Sequence, residues 1–258
     1  MISFDITIEI FIILFLGGFA AGFVDSIAGG GGLISLPVLL SVGLPPQTAL
    51  GTNKLQGTFG TLSASYNYIR SGKVDLNESV AGIVFTFIGA AAGAWLIQSL
   101  DPGLLKHIIP VLLMAVFVYT VISKDLGVKR RDALMPRGWF YLVFGLALGF
   151  YDGFFGPGTG SFWTAALMAL LGHDMTRAAG ATRIMNFISN IVALGVFIMG
   201  HNVLYSAGIC MAAGQIVGAR IGSSLAIKRG ARFIRPIFLT VVFLTITRLG
   251  YVYYLKEL

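Results

Sequence analysis

The sequence predicts an all-α polytopic membrane protein built as an inverted repeat. Each half is a broken or re-entrant helical hairpin followed by three transmembrane helices, giving about eight helical membrane segments in all. Three observations predict this. Of 258 residues, 56% are hydrophobic and 11% charged, with a mean hydropathy of +0.85. A soluble domain spends about a quarter of its residues on charge. Two oily stretches are each broken by glycines behind an aspartate, GFVDSIAGGGG from Gly22 to Gly32 and GFYDGFFGPGTG from Gly149 to Gly160. The bases are distributed unevenly between the two sides that a hairpin topology creates.

In chain order, the first broken stretch covers 11–42, and apolar segments follow at 51–69, 79–99 and 107–123. A polar connector runs from Ser123 to Gly138. A second broken stretch covers 139–171, followed by segments at 179–199, 203–221 and 236–254. The halves match in order. The two glycine breaks correspond, ALGTNKLQ from Ala49 matches AAGATRIM from Ala178, GAAAGAWL from Gly89 matches GQIVGARI from Gly214, and Pro110 matches Pro236, at offsets of 125 to 129 residues. An ordered set of matches at one separation indicates an internal duplication. The reading is one membrane domain over 1–258, with repeats at 8–124 and 138–254 and a cytoplasmic connector at 125–137.

Stretches of thirty-odd residues are long for one crossing and short for two. If each crosses once, the eighteen Lys and Arg residues divide nine to nine. If each turns back at its glycines, the division is fourteen to four, the asymmetry expected of a protein oriented by its positive loops. Three crossings then follow each hairpin, so the second half enters the membrane inverted and both termini lie outside. Two tightly spaced spans per stretch give the same parity. Binding sites in inverted-repeat transporters lie near the midplane, at the repeat interface.

The site candidates follow from the breaks. Helices restarting after Gly32 and Gly160 point their positive ends toward the tips, which suits an anion. The glycines Gly29, Gly30, Gly31, Gly32, Gly156, Gly158 and Gly160, with Pro157, allow close backbone approach and leave N–H groups uncovered. Asp25 and Asp152 are costly at membrane depth, so they serve either as proton carriers or as caps holding the breaks in shape. Lys54 and Arg183 align. They either neutralise an anion, pair with the aspartates or snorkel to headgroups. Thr52, Asn53, Asn186 and Asn190 add polar groups nearby, and Gln98 and Gln215 are weaker candidates. Scattered glycines such as Gly89 and Gly93 are read as helix packing.

No nucleotide loop, matched nucleophile and base, or metal-ligand set occurs, so neither an enzyme nor a cofactor is expected. The lone Cys210 is read as packing, and His107, His173 and His201 as residues of segment ends. The net charge of +7 reports topology and contact with the lipid bilayer rather than nucleic acid. The expected partners are a small anionic substrate and protons as coupling ion. A passive anion channel and a non-transporting scaffold are the competing functions.

GFVDSIAGGGGLISLP, ALGTNKLQ, GFYDGFFGPGTGSF and GARIGS resemble the TauE/SafE, or sulfite exporter, family over nearly the whole chain. The resemblance is greatest to its bacterial "probable membrane transporter" subgroup. It implies a plasma-membrane transporter, here of the bacterial inner membrane, that exports sulfite, a sulfonate or a small organic acid, with proton coupling. It places the family signature on Asp25, Gly29 to Gly32, Asn53, Lys54, Asp152, Gly156, Pro157 and Gly160. Pro157 and Thr159 set the second break apart from the first.

Overall fold

The computed structural model describes residues 7–122 and 132–229. The expected segment at 236–254, the Pro110–Pro236 match, the basic run at 228–235 beyond Arg229 and most of the connector lie outside the described residues.

The chain folds into helices α1 (Ile8–Ala28), α2 (Gly32–Ser41), α3 (Pro46–Arg70), α4 (Leu76–Gln98), α5 (Pro102–Ile122), α6 (Arg137–Phe140), α7 (Leu146–Phe154), α8 (Thr159–Leu170), α9 (Met175–Met199) and α10 (Tyr205–Arg229). A π-helical turn over Tyr141–Gly145 joins α6 to α7. Starts are set locally. Thr7, Asp75 and Asp174 accept hydrogen bonds from main-chain N–H groups in the first turns of α1, α4 and α9. Pro46 opens α3, where its missing N–H costs nothing. The starts of α3 and α9 precede the expected segments by several residues, because the opening turns are polar.

Helices α1, α4, α5, α9 and α10 are long and apolar enough to cross a membrane. Helix α3 has 25 residues, about 38 Å of rise. It fails that test because its polar side chains turn into the protein. The apolar residues that face outward include Trp95, Val111, Met199 and Ile209, which suits a lipid-facing surface. The chain is a multi-pass membrane protein.

Both glycine breaks are hairpin turns. A Cβ on Gly17 in α1 would stand 2.9 Å from Val38 Cγ1 in α2. A continuous helix would separate these residues by about 31 Å. In the second hairpin, the Leu134 N–H donates to Leu170 O at 2.8 Å, closing the two ends. Arg137 and Arg177, on either side of that hairpin, both bind Glu78 at the start of α4. The hairpin therefore returns to the end of the molecule where it began. At the opposite end, the Gln47 side chain donates to Leu100 O at 2.9 Å, and Asn202 donates to Gln98 Oε1 at 3.0 Å.

The contacts repeat when the halves are exchanged. Helix α1 packs along α10 as α7 packs along α4, α3 packs on α10 as α9 packs on α4, and α3 and α9 cross each other at the centre. Glycines make the seams. A Cβ on Gly89 or Gly93 would lie 2.4 or 2.0 Å from the carbonyl oxygens of Leu146 and Phe150. One on Gly218 or Gly222 would lie 2.1 or 2.3 Å from those of Phe19 and Phe23. Gly89 and Gly93 are thus packing residues, as expected. Their spatial counterparts are Gly218 and Gly222. The sequence match of Gly89 to Gly214 is displaced by one helical turn, because a glycine every fourth residue aligns equally well one turn early.

Candidate functional site

The two hairpin tips meet. A Cβ on Gly29 would fall 2.3 Å from the Gly160 carbonyl carbon, and one on Gly32 would fall 2.9 Å from Pro157 Cα. Ser161 donates to Gly29 O at 2.6 Å, tying one tip to the other. Gly29, Gly156 and Gly158 have φ of 75°, 98° and 83°, which side-chain-bearing residues rarely adopt. Gly30 and Gly31 complete the first turn, where their carbonyls accept from Leu33 and Ile34.

Each tip aspartate pairs with a base from the opposite half. Lys54 Nζ lies 2.7 Å from Asp152 Oδ1 and also donates to the Asp152 carbonyl. Arg183 Nη1 lies 2.7 Å from Asp25 Oδ2 and donates to the Asp25 carbonyl. The side chains of Lys54 and Arg183 are 1% and 0% exposed. Neither base snorkels to the surface, so neither belongs in a count of loop charges. The remaining bases divide thirteen to three, and the asymmetry survives. Burial forces the pairing, since an isolated charge in a low-dielectric interior costs several kcal/mol.

Asp25 Oδ1 also accepts the Gly31 N–H at 3.1 Å, across the break. Asp152 Oδ2 instead accepts from Ser189 on α9. The flanking hydroxyls repeat between halves. Ser35 reaches Gly31 O at 3.1 Å and Asn53 Oδ1 at 2.5 Å, and Thr164 reaches Gly160 O at 2.8 Å and Thr182 Oγ1 at 3.1 Å.

A polar cavity of about 30 Å³ lies between the tips and the central helices. That is roughly the share of liquid volume of one water molecule. Asp25, Lys54 and Asp152 bring charge to it, Asn53, Asn186 and Asn190 bring amides, and Gly32, Gly156, Gly158 and Gly160 bring main chain. Thr52 is turned away and accepts the Leu204 N–H at 2.9 Å. Gly29 and Pro157 hold the tips together, and Arg183 stands behind the tip. The Nη2 of Arg183 lies 2.7 Å from where a Gly160 Cβ would be. Gln56, Gly57, Thr61 and Gln215 also line the cavity. Gly57 and Thr61 stand three and seven residues after Lys54, on one helical face, and this spacing was the signal for them.

A sequence profile of the family "Sulfite exporter TauE/SafE" matches residues 14–249. The chain belongs to this family. The TauE/SafE protein is 42% identical over 251 residues to a "Probable membrane transporter protein" of Haemophilus influenzae, covering 96% of this chain and 97% of that one. It is 40% identical to the "Probable membrane transporter protein YfcA" of Escherichia coli K12, over 89% and 85% of the two chains. A "Sulfite exporter TauE/SafE family protein 6" of Arabidopsis thaliana is 27% identical over 43% of this chain and 26% of its own. No solved structure matches.

In this TauE/SafE protein seven buried polar side-chain atoms make no hydrogen bond among the described residues. Of the seven, Asn186 Oδ1, Gln56 Oε1 and Gln215 Oε1 belong to residues lining the cavity, and Arg183 Nη2 lies beside the tip; Ser65 Oγ, Trp163 Nε1 and His173 Nδ1 lie elsewhere. Buried polar atoms without partners cost about 1–3 kcal/mol each. Donors, acceptors and paired charges therefore converge on one small polar cavity.

Proposed function

We propose that this membrane transporter of the TauE/SafE family carries a small anion by alternating access, with the binding site at the meeting point of the two hairpin tips. The anion is sulfite, a sulfonate or a small organic acid, and movement is by proton-coupled export. The observation that carries this reading is the crossed pairing of Lys54 with Asp152 and of Arg183 with Asp25 beside a polar cavity. Each hairpin is latched to a base of the other half, so there are two equivalent latches, one for each direction of opening. An anion entering the cavity offers one of the bases a new partner, and the aspartate which that base leaves takes a proton. The present cavity is too small for an organic sulfonate and corresponds to a closed form, which one hairpin must leave to admit substrate.

The repeats are placed at 8–124 and 138–254, the connector at 125–137 in the cytoplasm and both termini outside, in a bacterial inner membrane. The pairing of helices under exchange of the halves supports the repeat, and the family names of the relatives support transport over catalysis. The test is reconstitution into liposomes with a flux screen over sulfite, sulfonates and small carboxylates. A saturable flux with a fixed proton stoichiometry supports the reading. Flux without proton movement indicates a passive channel, and no flux across the panel indicates a non-transporting scaffold.

A further inference from the structure

The two crossed pairs are related by exchange of the halves, yet they differ in what surrounds the carboxylate. We infer that Asp152, with the Ser189 hydroxyl as its hydrogen-bond partner, is the proton-carrying member of the site, while Asp25 is a fixed anchor; this rests on the anion-transport reading above.

Asp25 Oδ1 accepts the Gly31 main-chain N–H at 3.1 Å, and Oδ2 accepts from the Arg183 guanidinium at 2.7 Å. Both partners are donors only, and arginine does not lose its proton in proteins. A proton placed on Asp25 would face, at each of these two contacts, a donor that cannot accept it. Asp152 is placed otherwise. Its Oδ2 meets the Ser189 hydroxyl, which also lies 3.1 Å from Asn186 O. A hydroxyl both donates and accepts. When Asp152 Oδ2 gains a proton from water, it donates to Ser189 Oγ, and Ser189 turns its own proton to Asn186 O. Lys54 keeps its bond to the Asp152 carbonyl and is free to direct its ammonium charge to an anion. The proton thus ends on the Asp152 carboxylate and the positive charge on the anion, with no group left unpaired.

Among the described residues, the ionisable groups of the elements packed on Asp152 are paired or stand toward one end of the molecule. Helix α8 carries no ionisable side chain, and the single carboxylate of α4, Glu78, is held by Arg137 and Arg177 at one end of the molecule. Tyr151 donates to Pro157 O at 2.8 Å. On α9 the charged groups are Arg177 and Arg183, each already paired. On α3, Lys54 faces Asp152, and the further ionisable groups are Tyr66, Tyr68 and Arg70 toward the other end. The position equivalent to Ser189 in the first half is Gly60, which has no hydroxyl to offer Asp25.

Infrared titration of the purified full chain tests the inference without requiring flux. The carbonyl band of a protonated carboxylic acid is followed as pH is lowered, with and without methanesulfonate, an anion whose charge does not change over the range. The expected result is a band absent in Asp152→Asn and retained in Asp25→Asn. Ser189→Ala, which leaves both ion pairs in place and removes a hydroxyl that donates to the carboxylate, raises its midpoint by about one pH unit, a tenfold change in proton affinity, and Ser189→Thr restores it. Methanesulfonate raises the wild-type midpoint, since coupling between the two ligands is reciprocal. A band that disappears in Asp25→Asn instead, a midpoint unmoved in Ser189→Ala, or one indifferent to methanesulfonate overturns the inference. If the liposome screen finds no flux while the band behaves as stated, the transport reading fails and the assignment of the proton stands. If anions move but the band belongs to Asp25, the assignment fails alone.

Discussion

Lys54 is a lysine in the middle of a membrane protein, 1% exposed and bound to a carboxylate from the other half of the chain. Removing one partner of such a pair leaves the other charge buried and alone. Lys54→Met should therefore cost about 3–5 kcal/mol of stability. The double variant Lys54→Met/Asp152→Leu should recover much of that loss, because neither charge is then stranded. Thermal unfolding in detergent across the four-member cycle measures the coupling, and additive losses would contradict a direct pair. The sequence made the candidates legible, since Asp25 with Asp152 and Lys54 with Arg183 occupy matching places in two repeats. It left open whether the bases pair, snorkel or hold an anion. The choice depends on which tip meets which base, and only the packing of α3 against α9 sets that. Ser189 gave no signal, because a serine in a membrane helix ordinarily bonds its own main chain.

The hairpins depend on glycine where the tips touch. Gly160→Ala would put a methyl group 2.6 Å from Gly29 Cα, and Gly29→Ala would add strain at a φ of 75°. Each should destabilise the protein by about 1–3 kcal/mol through overpacking. Gly195→Ala, where a Cβ meets nothing within 4 Å, serves as the neutral control. Equal melting temperatures for all three variants would contradict the contact between tips. The hairpin turn itself was legible from charge asymmetry, and Gly17 beside Val38 gives it a physical form. The polar helix α3 was harder to delimit, because a central helix that buries polar residues lacks the apolar signature by which spans are recognised. Single cysteines test the arrangement of ends. Positions 72, 133 and 173 should label from one side of sealed vesicles, and positions 43, 99 and 201 from the other. Labelling of 133 and 173 from opposite sides would mean that the second stretch crosses the membrane.

At the scale of the whole molecule, the two halves are held by the packing of α1 and α3 on α10 and of α7 and α9 on α4, by the central site and by the Glu78 cluster at one end. The Glu78 carboxylate, in the first turn of α4, binds Arg137 and Arg177. Glu78→Gln should remove about 0.5 kcal/mol of stability, the scale of a partly exposed pair. An unchanged melting temperature would show that the cluster does not hold this end together. The duplication and the family were legible from motifs in order along the chain, whereas the closed cavity was not, since it exists only where both halves meet. The crossed latches around that cavity are the centre of the account. Flux of sulfite and methanesulfonate into proteoliposomes under an imposed pH gradient, compared between the wild type and Lys54→Met, tests them most directly. The account predicts proton-coupled flux of at least one of the two anions in the wild type and a loss of about tenfold or more in the variant, the factor given by 1.4 kcal/mol. Equal flux in the two proteins, or movement of neither anion by the folded wild type, would contradict it.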